Sequence, residues 1–151
     1  LELYENDEVV NFIKSILRGL KKHGIKRIVK ALKDVDLNTE NINYLIVIDF
    51  IEKSICDRLK VEVIALYDKQ TRGDITIARK LCVLFLRKHL DMSDETIGAH
   101  YHRTRQLYHM THKEYQALNP TNKTDANFIN LYNEFDTKIQ DYIASVKNQK
   151  D

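Results

Sequence analysis

The sequence predicts an all-α fold, a helical bundle, from three observations. Apolar residues recur at helical spacing along most of the chain, the longest apolar run exceeds any ordinary strand, and turn-forming residues are scarce. Four glycines, one proline and no tryptophan in 151 residues cannot punctuate a many-stranded sandwich or barrel. An apolar content of 43% supplies a core for one domain, with room for a helical appendage.

Val9, Val10, Ile13, Ile16, Leu17 and Leu20 repeat every three or four residues behind the caps Asn6 and Asp7. Gly24 follows Lys21-Lys22-His23, an ending suited to the helix dipole. Ile25, Ile28, Val29 and Leu32 continue as a short amphipathic helix whose other face carries Lys26, Arg27, Lys30 and Lys33. The run from Ile42 to Leu59 is apolar almost all round at its centre, and its length makes it a buried helix. A short helix over Glu62 to Asp68 and a loop over Lys69 to Asp74 lead to a long helix from Ile75 to Leu90. Ile77, Leu81, Val83, Leu84 and Phe85 supply its inward positions.

From Ala78 to Lys113 the pattern is that of a helix-turn-helix with basic residues on both helices. Ser93 is placed to cap a helix over Asp94 to His100. A tight connection near His102 precedes a helix from Arg103 to Leu118, with Leu107, Tyr115 and either Met110 or Thr111 turned inward. Pro120 stops that helix, and Asp125 is placed to cap the next. The terminal helix repeats Phe128, Tyr132, Phe135, Ile139, Tyr142 and Val146 in steps of four and three, the seam spacing of a coiled coil. A short, aromatic-rich seam favours docking on the chain's own domain over self-pairing, and a protein partner or self-association through this helix is the other expectation. The expected divisions are an N-terminal helical pair packed on the core over 1–37, the helix-turn-helix domain over 38–118, a linker over 119–125 and the amphipathic helix over 126–151.

The net charge of +2 is uninformative in total and informative in distribution. Between Lys69 and Lys113, nine Lys/Arg face four acids, leaving +5 there and −3 elsewhere. Five of the six histidines, at 89, 100, 102, 109 and 112, fall in the same window. Cys56 and Cys82 lie in apolar runs without zinc-like or CxxC spacing, which predicts buried free thiols in a reducing, cytoplasmic setting. No leader-like N-terminus and no membrane-length apolar run is present, so no membrane association is expected.

From about Ile48 to Tyr115 the chain resembles the C-terminal DNA-binding domain of the bacterial chromosomal replication initiator DnaA, a Trp-repressor-like helical fold. The resemblance rests on the Val61 to Leu66 segment, Ala78-Arg79-Lys80-Leu81, the Ser93 turn with Ile97-Gly98, and Leu107-Tyr108-His109-Met110 followed by Lys113. It implies phosphate contacts from Arg79, Lys80, Arg87, His109 and Lys113, with Arg72 near the place of a minor-groove arginine and Lys69 in the same loop. The chain departs from the family at His102-Arg103-Thr104-Arg105-Gln106, where a glycine turn and an Arg-Asp-His-Thr-Thr run belong and where this chain is about two residues shorter. The initiator's own origin box is therefore not an expected target.

The residues themselves suggest Arg105 as a donor to guanine, Gln106 as a partner for adenine, and Arg103 as a phosphate contact. The expected function is thus non-enzymatic binding of double-stranded DNA, largely through phosphates, in a bacterial cell or by a phage protein within it. The alternative is a structural or adaptor subunit of a phage or replication assembly that reuses the fold. No GxxxxGK[ST] or Gly-rich phosphate cradle exists, so no nucleotide cofactor is expected. Basic neighbours disfavour a metal at His100/His102 or His109/His112, and Asp94-Glu95 sit at a helix start where the dipole explains them.

Overall fold

A computed structural model of the chain describes residues 39–148, together with 11, 14–16 and 18–19. The chain forms two compact units, divided after Ile42. In the first, the described residues are helical, in agreement with the helix expected behind Asn6 and Asp7. The helix expected over 25–32 and the packing of the N-terminal pair on the core lie outside the described residues. From Thr39 onward the described chain is all-α: α1 (Thr39–Leu59), a 3-10 turn (Val63–Tyr67), α2 (Gly73–Leu90), α3 (Asp94–His100), α4 (Leu107–Gln116) and α5 (Lys123–Asn148). No strand occurs among the described residues.

α1 is one-sided rather than buried all round. Val47, Ile48, Ile51, Glu52, Ile55 and Cys56 are buried, whereas Leu45, Asp49, Lys53 and Asp57 are exposed. That alternation is the 3.6-residue period seen from the core. The helix ends where Lys60 turns left-handed (φ 57°) and Val61 N–H donates to Cys56 O at 3.0 Å, a Schellman closure. α2 is the central element: every residue from Leu81 to Leu86 is buried. It begins at Gly73 and ends at left-handed Asp91.

α3 starts as expected, with Ser93 Oγ accepting from Thr96 N–H at 3.2 Å. α4 begins four residues later than the sequence suggests, because the chain first closes a turn. His102 adopts φ 55° and Arg103 N–H donates to Gly98 O at 2.7 Å. Gly98 is essential to that approach: a Cβ there would lie 2.3 Å from Thr104 O. Arg103 to Gln106 therefore form the turn and not the helix.

The connection before α5 spans only 119–122, because Lys123 to Asp125, expected in the linker, already belong to the helix. Asn122, not Asp125, caps α5, accepting at Oδ1 from Thr124 N–H at 2.9 Å and Asp125 N–H at 3.3 Å; Asp125 accepts from Asn119 N–H at 3.0 Å. α5 docks on its own domain. Phe135 and Ile139 are fully buried, Tyr132 stacks between Phe85 and Tyr115, and Phe50 stacks on Tyr142 at 3.7 Å. Phe128 also packs against the core cluster. The seam is thus occupied within the chain, and self-association through it would require α5 to undock. Lys88 and His89 of α2 each lie 2.8 Å from Asp136 and fix the register.

Candidate nucleic-acid interface

The ten polar and basic residues singled out from the sequence divide into two groups. Lys69, Arg72, Arg105, Gln106, His109 and Lys113 are exposed. Arg79, Lys80, Arg87 and Arg103 make contacts within the chain, and for the buried Arg79 this rules out the phosphate contact expected of it. Arg79, only 6% exposed, donates from Nε to Leu66 O at 2.8 Å and from an Nη to the carbonyls of Ala65, Asp68 and Gln70 at 3.0–3.1 Å. Burial, and then the charge of Arg103, pull its pKa below the ordinary arginine value. A guanidinium so enclosed is a clamp on the loop before α2 and cannot reach a phosphate.

Arg103 donates to the same Asp68 carbonyl at 3.0 Å, so the loop carrying Lys69 and Arg72 is tied to the turn before α4. Lys80 pairs with Glu114 of α4 at 2.5 Å. Arg87 donates to Met92 O at 2.9 Å and lies over the Tyr108 ring at 5.6 Å. Both are half-exposed buttresses that hold α4 against α2.

His109, Met110 and Lys113 of α4 share one outward stripe with its N-cap residue Gln106, at i+3, i+4 and i+7 from that residue. The inward choice between Met110 and Thr111 falls to Thr111, which is buried with its hydroxyl donating to Leu107 O at 2.8 Å. Between α3 and α4 lies an open groove of about 460 Å³ lined by Asp94, Glu95, Arg105, Gln106 and His109. Asp94 Oδ1 is buried there without a hydrogen-bond partner. The surface is therefore of mixed sign, with carboxylates at the start of α3 beside the guanidinium of Arg105 in the turn before α4.

A buried polar cluster that the sequence does not announce joins the end of α3 to α1. Glu52, 4% exposed, accepts from Tyr67 Oη at 2.5 and 2.7 Å, from Tyr101 Oη at 3.1 Å, and contacts His100 Nε2 at 2.6 Å. Burial, reinforced by the Glu52 charge, pushes both tyrosine hydroxyls well above the ordinary value, so they remain donors. The carboxylate joins α1, the 3-10 turn and the end of α3, and so positions the turn that launches α4. One signal was available: Glu52 is the charged member of the apolar stripe 47/48/51/52/55/56.

Cys56 and Cys82 are free and buried. Burial, then the charges of Glu52 and Asp57, raise Cys56 to about 11, which keeps its thiol protonated and unreactive. Among the described residues, no group of three or more His, Cys, Asp or Glu is placed to hold a metal, and no helix is long and apolar enough to cross a membrane. A scan against family models and searches of characterised proteins and of solved structures each found no match to the chain.

Proposed function

We propose that the protein binds double-stranded DNA, with α4 as the recognition helix and no enzymatic role. The observation that supports this most is the exposed stripe on α4, flanked by Arg105 and by the exposed loop residues Lys69 and Arg72. A short helix with amide- and charge-bearing residues on its outer face has the dimensions to enter a major groove. The resemblance of Ile48 to Tyr115 to the DNA-binding domain of the initiator DnaA supports the same reading. Lys69, Arg72, Arg105, His109 and Lys113 take the phosphate role, and Gln106 faces the bases. Arg79, Lys80, Arg87 and Arg103 hold the scaffold. The setting is the cytoplasm of a bacterial cell, or a phage protein acting within one.

The test is binding to random duplex DNA across a salt series, beside a variant carrying Arg72→Ala, Arg105→Ala and Lys113→Ala. The wild type should weaken steeply with salt, and the variant's log–log slope should be shallower by about 2.7 if each cation meets one phosphate. Absence of binding at low salt, with a native-like circular dichroism spectrum, refutes the reading.

A second reading is favoured by Asp94 and Glu95, which place negative charge beside the recognition helix. A surface of both signs suits a protein partner, as in an adaptor subunit of a phage or replication assembly. That reading predicts no salt-dependent DNA binding.

A further inference from the structure

The stripe along α4 carries one residue to which neither the phosphate role nor the base-facing role of Gln106 has been given. Met110 is 58% exposed, in the midst of Gln106, His109 and Lys113. Large exposed apolar side chains are ordinary when scattered, and Leu45 and Ile64 are the others among the described residues, each on a different element. Met110 differs in position: it shares the outward face of the helix with the residues assigned to DNA. Its neighbour Thr111 takes the inward place, so the helix can present Met110 outward without losing its packing.

Resting on the DNA-binding reading, we infer that Met110 is a specificity-determining residue that recognises the C5-methyl group of thymine in the major groove. The thymine methyl is the apolar feature on the major-groove edge of the base pairs, and an unbranched thioether is an adaptable partner for it. Met110 lies four residues from Gln106, about 6 Å along the helix axis, or nearly two base-pair steps of about 3.4 Å. Gln106 is chemically suited to adenine. The pair therefore reads an A·T-rich step, one residue by hydrogen bonds and the other by burying a methyl group. Lys113 on the same stripe would oppose an apolar protein partner and favour a polyanion.

The experiment compares binding to the alternating duplexes poly(dA-dT) and poly(dA-dU), which differ by the thymine methyl. The wild type should bind the thymine polymer about fourfold more tightly for each methyl buried. Met110→Ala should bind both polymers equally, with an unchanged salt slope. Ile64→Ala, which removes an equally exposed apolar side chain elsewhere, should keep the preference. Equal wild-type binding to the two polymers, or a preference that survives in Met110→Ala, overturns this inference and leaves the DNA-binding reading standing. Binding to neither polymer at low salt overturns both.

Discussion

Arg79 and Arg105 carry the same group to opposite environments. The guanidinium of Arg79 is buried against four carbonyls, two in the 3-10 turn and two in the loop after it, whereas Arg105 is exposed and lines the α3–α4 groove. The contrast extends to their surroundings. Around Arg79 and Glu52, polar side chains are enclosed and matched by hydrogen-bond partners; along α4 they are open and of mixed sign. Buried polar groups must be satisfied and therefore fix geometry, while exposed ones remain available to a ligand. The first region is the frame and the second is the surface it positions.

Substituting the two arginines gives the largest expected difference. Arg79→Met should lower stability by about 3 kcal/mol or more, because several partly buried carbonyls lose their donor. Arg105→Met should change stability by less than about 0.5 kcal/mol and weaken DNA binding instead. Chemical denaturation and a binding titration on both variants separate the roles; equal destabilisation would erase the distinction.

Gly98→Ala should follow, costing about 1–3 kcal/mol, because the new Cβ meets the backbone at Thr104 and the turn must open. It should also weaken DNA binding more than its stability loss explains, since α4 is displaced. Unaltered unfolding and binding curves would show that the approach at Gly98 does not set the helix. On the same frame, Glu52→Gln should shift the environments of Tyr67 and Tyr101. The tyrosine ring signals in a nuclear magnetic resonance spectrum report that shift before any global unfolding.

A smaller effect is expected from the tie between α2 and α5. Burial pushes the Asp136 carboxyl up, but hydrogen bonds and charge from Lys88 and His89 outweigh it and hold the group below its ordinary value of 3.8. The hydrogen bond to Asp136, partly opposed by burial, raises Lys88 above 10.5. Asp136 therefore stabilises the fold above the ordinary carboxylate value and stops doing so as pH falls through its lowered one. Lys88 contributes below its ordinary value and ceases to as pH rises through its raised one. Asp136→Asn should flatten both limbs of a melting-temperature profile, by no more than about 1 kcal/mol given the exposure of Lys88. A profile identical to wild type would remove the pair from the docking of α5.

The smallest change sharpens the outer surface. Glu95→Gln removes one negative charge beside Arg105 and should raise affinity for random duplex DNA a few-fold without altering stability. A fall in affinity would indicate that Glu95 itself meets the ligand, for example at a cytosine amino group.

Much of the frame was legible. Helical spacing located α1, α2 and α5, Ser93 marked the start of α3, and the aromatic seam announced a helix docked on its own domain. The candidate site was legible only in outline. Met110 and Thr111 are adjacent, and only the contact with the core shows which turns inward. The start of α4 moved from Arg103 to Leu107 because a left-handed His102 closes the turn without the glycine that usually signals it. Asn122 and Asp125 are both good caps, and the backbone geometry chose the former.

The sequence by itself determined where helices form and where basic residues concentrate, because both depend on local periodicity and composition. Only the tertiary structure decided which of those residues remain available. Arg79 meets carbonyls nine to fourteen positions earlier in the chain, and Glu52 meets His100 forty-eight positions later. Those partners come within reach only after folding, and the cost of leaving a buried polar group unsatisfied then commits some charges to the frame and leaves Lys69, Arg72, Arg105 and Lys113 exposed.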